Sequence, residues 1–156
     1  MKKVMFVCTG NICRSPLAEG ILRSLVNKKN IDIAVSSSGL QGYHVGEAPD
    51  YRAVKVGIEH GIDIGDLRAK KFEMEDFEKY DYIFGMAPEH VRLLLKYCPS
   101  EELKKKVHLF LEFTGTQNSW GNEIRDPYYG TIHDFQEVCN YISLACADFL
   151  NKINRL

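Results

Sequence analysis

Apolar runs rich in β-branched residues recur along the chain, at Val4–Val7, Ile31–Val35, Tyr82–Met86 and Val107–Leu111. Each has the length of a buried strand. The stretches between them carry helical spacing instead. Leu17, Ile21, Leu22 and Leu25 fall on one face of a first helix, with Ser15 as its expected cap and Pro16 at its first position. Asp50 to His60 reads as a second helix, entered near Pro49 and stopped by Gly61, and Pro88 to Tyr97 reads as a third. Phe135, Val138, Cys139, Ile142, Ala145, Cys146, Phe149 and Ile153 form an apolar stripe on a long last helix, from Ile132 to Ile153. From Glu112 to Thr131 no helical period survives, and Thr, Gly, Asn and Ser dominate. Alternating strands and helices predict right-handed βαβ units: an α/β, three-layer domain with a four-stranded parallel sheet in the order 2-1-3-4 and helices on both faces. The loop after a central strand 1 then lies at the carboxyl edge of the sheet, where such folds bind ligands.

That loop is unusual. Cys8-Thr9-Gly10-Asn11-Ile12-Cys13-Arg14-Ser15 holds two cysteines and an arginine, with no acid, and leads straight into a helix N-terminus. Amides at a helix start lack intrahelical partners and present partial positive charge. Gly10 permits close backbone approach and Asn11 tolerates left-handed torsions, so the amides can curl into a nest around a tetrahedral oxyanion. Arg14 closes the nest, because a guanidinium fork binds two phosphate oxygens at once. A cysteine in that field is favoured as thiolate, the form that attacks. The Ser15 hydroxyl is placed to donate to the sulfur. A lone Cys-x5-Arg spacing is common by chance; the strand before it and the Ser-Pro after it make the combination specific.

Composition narrows the picture without changing it. The 156 residues suit one domain, 1–156, with a sizeable core. A formal net charge of -1 gives no reason to expect nucleic acid or an anionic membrane as partner. No apolar run reaches a membrane span, and the short run ending at Cys8 is too brief for a signal peptide. Five cysteines, an odd count without a dense framework, point to reduced thiols and a cytoplasmic location. The five histidines show no His-x3-His spacing, so a metal site is not expected; no other cofactor is expected either.

A thiolate attacking phosphorus needs a proton donor for the leaving group. Within the long loop sits Arg125-Asp126-Pro127-Tyr128-Tyr129-Gly130, where Pro127 pushes Asp126 towards an extended shape and stiffens its setting. Asp-Pro alone is an ordinary turn starter. Arg125 is a tension beside an acid, eased if extended backbone points the two side chains apart.

Cys8 to Arg14 with Ser15-Pro16, together with Asp126-Pro127-Tyr128-Tyr129, resembles the low-molecular-weight protein tyrosine phosphatases. The resemblance runs in pieces as far as Gly130. It implies Cys8 as nucleophile, Arg14 as phosphate clamp, Asn11 as holder of the loop's shape, Ser15 as thiolate stabiliser and Asp126 as general acid and base. Thr9, Gly10, Ile12 and Cys13 then line the phosphate site. Tyr128 and Tyr129 wall the substrate slot, and Tyr43 stands on its opposite side. Such a slot favours a flat aryl phosphate over a short aliphatic one. The implied partners are phosphotyrosine-containing proteins, with inorganic phosphate or other oxyanions in the site. The resemblance also supports a reversible Cys8–Cys13 disulfide that shelters the nucleophile.

Two departures stand out. Ser37-Ser38-Gly39-Leu40 replaces the usual Ser-Ala-Gly-Thr, so a threonine hydroxyl is missing, although Ser37 can still reach Asn11. Asp66 or Leu67 stands where many relatives carry a histidine that supports the loop. Three other readings compete. Thioredoxin-coupled arsenate reductases need a cysteine pair after strand 3, where this chain has only Cys98. Arginine phosphatases carry a small polar residue where Ile12 stands, and lack the paired tyrosines. A non-catalytic anion-binding module has no need to keep Cys8, Arg14 and Asp126 together. Cys139 and Cys146, seven apart, belong on one buried face of the last helix. Trp120 either packs the long loop or touches substrate.

Overall fold

Strand β1 (Lys2–Cys8) lies between two cores and builds both through its alternation. Val4 and Phe6 point to one side, where they pack with Leu17, Leu22, Phe135 and Phe149. Met5 and Val7 point to the other, against Phe77, Ile83 and Leu94. All four are fully buried, which is why the strand reads as one continuous apolar run. The chain continues through α1 (Arg14–Lys28), β2 (Ile33–Gly39), α2 (Tyr51–Glu59), α3 (Asp76–Lys79), β3 (Tyr82–Gly85), α4 (Pro88–Tyr97), α5 (Glu101–Lys104), β4 (Val107–Leu109), α6 (Phe110–Thr114) and α7 (Ile132–Ile153). The strands pair in parallel, in the order β2-β1-β3-β4 that the alternation predicts. Helices α1, α2, α6 and α7 contribute to the first core, and α3, α4 and α5 to the second. This computed structural model describes residues 1–154, so the last two positions of the expected 1–156 domain lie outside the described residues. Among the described residues no helix is long and apolar enough to cross a membrane.

The boundaries differ from the sequence reading in ways that bear on the site. Helix α1 begins at Arg14 with Cys13 as its N-cap, so Ser15 is not the cap and Pro16 is the third helical residue. Ser15 has its hydroxyl committed inside the loop instead, and Pro16 is tolerated because first-turn amides need no helical acceptor. Strand β2 starts two residues later than expected and runs on through Ser36, Ser37 and Ser38. Ser37 and Ser38 are buried with their hydroxyls hydrogen-bonded, which lets a polar run serve as strand. Strand β4 stops at Leu109, where α6 takes over until the left-handed Gly115. Cys139 and Cys146 are fully buried in the first core.

Gly39, at the end of β2, decides how closely sheet and loop approach. It pairs with Cys8 in the parallel register. A Cβ there would stand 2.8 Å from the Thr9 carbonyl oxygen, 3.0 Å from the Gly10 carbonyl carbon and 3.1 Å from the Asn11 amide nitrogen. All three are backbone, so the loop itself would have to move. Gly39→Ala is expected to destabilise the protein by about 1–3 kcal/mol through overpacking. Displacement of the reacting groups is expected to cost on the order of 10²-fold in kcat/KM. Thermal unfolding and steady-state kinetics on the one variant check both.

Candidate active site

The loop from Cys8 to Arg14 is held from outside by its carbonyls. Those of Cys8, Thr9, Ile12 and Cys13 accept from the amides of Leu40, Gln41, Asp50 and Leu17. Among the described residues, none of the amides from Thr9 to Cys13 donates to a protein group. This is the inventory an anion nest needs: carbonyls occupied, amides free. Asn11 sits at φ 60°, the left-handed geometry that lets the loop fold back.

The Asn11 carboxamide organises what lies behind the loop. Its Nδ2 donates to Ser15 Oγ at 2.8 Å and to Ser37 Oγ at 2.9 Å, and its Oδ1 accepts from the Lys70 amide at 2.9 Å. Ser37 in turn donates to Glu19 Oε1 at 2.6 Å, and Glu19, itself buried, pairs with Arg23. Ser15 Oγ lies 2.9 Å from Cys8 Sγ. Since Ser15 accepts from Asn11, its own hydrogen is left to donate, to the sulfur or to the Ser38 carbonyl 3.5 Å away. The predicted Ser37–Asn11 contact is therefore present. Leu67 packs against the first core and makes no polar contact with the loop; the main chain at Lys70 supplies the support instead. Leu40 turns to the second core.

Arg14 is only 3 % exposed. One guanidinium nitrogen, Nη1, donates to the Ile124 carbonyl at 3.0 Å, and Nη2 lies 3.8 Å from Asp126 Oδ2. Ile124 is fixed in turn by its amide, which donates to the carbonyl of Met86, the residue just after β3. Asp126 also accepts the Tyr128 amide on Oδ1 at 3.0 Å, the turn that Asp-Pro favours. Arg125 points elsewhere, with its guanidinium 5.2 Å from the Trp120 ring centroid. The cation next in sequence thus stacks on an indole while the acid faces Arg14.

The acid-bearing loop is pinned at several points despite its length. Asn118 Oδ1 accepts the amides of Trp120 and Asn122. Thr116 is buried and donates to Asp148 of α7. Trp120 packs edge-on against Tyr141 with ring centroids 4.5 Å apart, so it anchors the loop and does not line the pocket. At the far end Arg52 donates to the carbonyls of Tyr128 at 2.8 Å and Gly130 at 3.1 Å, with its guanidinium 4.5 Å from the Phe135 ring centroid. Asp50 caps α2 and pairs with Arg52 at 2.9 Å. Burial works against the Asp50 charge, but hydrogen bonds from the Arg52 side chain and amide outweigh it and hold the carboxyl below its ordinary value.

These elements enclose a cavity of about 300 Å³ lined by Cys8, Thr9, Gly10, Ile12, Cys13, Arg14, Tyr43, His44, Asp126, Tyr128 and Tyr129. Of the twelve residues singled out in the sequence, Asn11 and Ser15 alone are set behind the wall. Tyr43 and Tyr129 stand exposed at the mouth, and Tyr128 is half-shielded, with its ring edge-on to Tyr129. Cys13 is buried, and its thiol is pushed well above the usual range, first by burial and then by the nearby Asp50. Cys8 and Cys13 are both free thiols. Among the described residues no three His, Cys, Asp or Glu side chains gather to hold a metal ion. Sequence reasoning missed Glu19, His44, Arg52, His90 and the Lys70 amide. Glu19 alone left a trace, as a carboxylate one helical turn beyond Ser15 on a face that otherwise buries Leu22. A main-chain donor such as Lys70 leaves none.

The sequence model of the family described as low molecular weight phosphotyrosine protein phosphatase matches residues 3–156. A protein of that description from Saccharomyces cerevisiae is 38 % identical over 152 residues, covering 96 % of this chain and 93 % of its own. The Homo sapiens counterpart is 38 % identical over 154 residues, covering 97 % and 95 %. The crystal structure of a protein tyrosine phosphatase from Entamoeba histolytica, with Hepes in its active site, superposes with a TM-score of 0.92 at 32 % identity, covering 99 % of this chain and 98 % of that one. A cysteine, an arginine and an aspartate meeting in one aromatic-walled cavity, on a fold and sequence shared along nearly the whole length, place this chain in the low molecular weight phosphotyrosine protein phosphatase family.

Proposed function

We propose that this chain hydrolyses phosphotyrosine and other aryl phosphate monoesters through a phosphocysteine on Cys8. The observation that carries the reading is the shared cavity of the Cys8 sulfur, the Arg14 guanidinium and the Asp126 carboxylate. In the first step the Cys8 thiolate attacks phosphorus in line; the S–P bond forms, the P–O bond breaks, and Asp126 gives its proton to the departing tyrosyl oxygen. In the second, a water loses its proton to Asp126 and attacks phosphorus. The S–P bond then breaks, and the returning thiolate takes the hydrogen bond from Ser15. Arg14 and the loop amides bind the equatorial oxygens and supply the charge stabilisation. Tyr43, Tyr128 and Tyr129 flank the ring of the substrate, and the depth of the slot favours phosphotyrosine over phosphoserine.

The decisive assay is p-nitrophenyl phosphate hydrolysis in excess chelator, followed by peptides phosphorylated on Tyr, Ser or Arg. Turnover should survive the chelator and fall on the phosphotyrosine peptides. Activity that vanishes with chelator refutes the metal-free mechanism, and activity confined to phosphoarginine refutes the substrate. The natural substrates are then phosphotyrosine-containing proteins. Five free thiols support a reducing, cytoplasmic setting, which cell fractionation checks directly.

Cys13 is proposed as a redox partner of Cys8, because both line the same cavity. Mild peroxide oxidises Cys8 to a sulfenic acid, and the Cys13 sulfur displaces water from it to close the disulfide. The expected mass change is the loss of two hydrogens, with activity restored by thiols. Because burial holds Cys13 protonated, closure should quicken as pH rises and frees its thiolate. Peroxide-treated protein whose Cys8 and Cys13 both still alkylate would refute the pairing.

A further inference from the structure

The steps above leave one polar pair beside the phosphate loop without a task. His90, in the first turn of α4, is 1 % exposed. Its Nδ1 is 3.0 Å from the Ala87 amide nitrogen. A backbone N–H can only donate, so Nδ1 is the acceptor and the ring hydrogen sits on Nε2. Nε2 lies 3.0 Å from Thr9 Oγ1. The imidazole therefore donates and the threonine accepts. Thr9 follows the nucleophile directly and lines the cavity. With one lone pair engaged by His90, the Thr9 oxygen is fixed in place while its hydrogen stays free to be given away.

We infer that His90 is a positioning residue, which through Nε2–H holds the Thr9 hydroxyl as a hydrogen-bond donor to an oxygen of bound phosphate. The inference rests on the phosphatase reading and adds a side-chain donor to the amides and Arg14. A helix cap needs only the Nδ1 contact, and the bond from Nε2 to Thr9 contributes nothing to α4. The ring is suited to the task because it stays neutral. Burial first, and then the nearby Arg14 charge, lower the His90 pKa to about 3. A protonated ring would also set an Nδ1–H against the Ala87 N–H. The donor to Thr9 thus persists across the working range without an added charge beside the anion.

Four variants and a spectrum test this. Thr9→Val keeps the shape and removes the hydroxyl. It should weaken inorganic phosphate, measured by calorimetry, and raise the KM for p-nitrophenyl phosphate, each on the order of tenfold, with a smaller change in kcat. His90→Gln puts an amide N–H within reach of Thr9 and should restore binding to within roughly threefold of wild type, whereas His90→Leu should match Thr9→Val. The double variant Thr9→Val/His90→Leu should bind phosphate no worse than either single one, because both remove the same contact. The ¹⁵N spectrum of labelled histidine should show Nε2 protonated and Nδ1 bare from about pH 5 to 8. Wild-type affinity in Thr9→Val, losses that multiply in the double variant, or a proton on Nδ1 would each overturn the inference. If His90→Leu melts too low to measure, Thr9→Val, His90→Gln and the spectrum still decide. Calorimetry separates the two levels. An inactive wild type that binds phosphate tenfold better than Thr9→Val sinks hydrolysis and keeps the pair; an active one with Thr9→Val unchanged sinks only the pair.

Discussion

Cys8→Ser is expected to lower turnover of aryl phosphates by at least about 10⁴-fold, while inorganic phosphate still binds. The reason lies in the depth of the site. Cys8 is 3 % exposed at the end of β1, and the other thiol in the cavity, Cys13, is held protonated by burial. No second thiolate is therefore available to take over the attack. A serine hydroxyl in the same place keeps the hydrogen bond to Ser15 and fits the loop, but ionises far less readily than a thiol. Because the loop amides and Arg14 are untouched by the substitution, phosphate affinity should stay level. Steady-state assays paired with calorimetric titration of phosphate read both halves. Activity within a hundredfold of wild type would mean that the sulfur does not form the bond to phosphorus. A variant that neither turns over nor binds would instead report a collapsed loop.

Asp126→Asn should separate the two chemical steps. The amide can still accept the Tyr128 N–H, as Oδ1 does at 3.0 Å, so the loop keeps its shape and only the exchangeable proton is lost. Removing a general acid costs on the order of 10²–10⁴-fold, and the loss should depend on the leaving group. Phosphotyrosine expels a poor leaving group and should suffer the full factor. p-Nitrophenyl phosphate expels an anion that needs little help, so its first step should be nearly spared. Its second step still lacks a base, and rapid mixing should show a burst of nitrophenol followed by slow release of phosphate. Equal losses on both substrates, with no burst, would remove Asp126 from the proton transfers.

The fold was legible where burial left a plain pattern. Val4–Val7 announces a strand as an unbroken apolar run because both its faces are buried, and the Phe135–Ile153 stripe announces a long amphipathic helix because burial on one face writes a period into the chain. β2 was harder. Ser36–Ser38 look like a loop until their hydroxyls find Met5, Glu19 and the Lys70 side chain, contacts made by residues distant in sequence. The helical turns α3 and α5 are too short to show a period at all. At the site, Cys8, Arg14 and Asp126 stood out in the sequence because a strand before the Cys-x5-Arg loop, Ser-Pro after it and Asp-Pro-Tyr-Tyr further on are rare in combination, though each is common alone. His90 could not, since a single histidine on a helix looks the same whether it caps, binds or does nothing. Arg52 was equally silent: its work is to hold backbone carbonyls, and any acceptor residue would serve as well.

The support that Asn11 receives from Lys70 comes from a peptide N–H, and this changes which mutations the chain can absorb during evolution. A histidine brace can be lost by one codon change; a main-chain donor survives nearly every substitution at its position. Position 70 is in that respect free to drift in charge and size, and proline is the one replacement there that withdraws the contact outright. What looks like a missing brace in the sequence is thus a gain in tolerance to mutation.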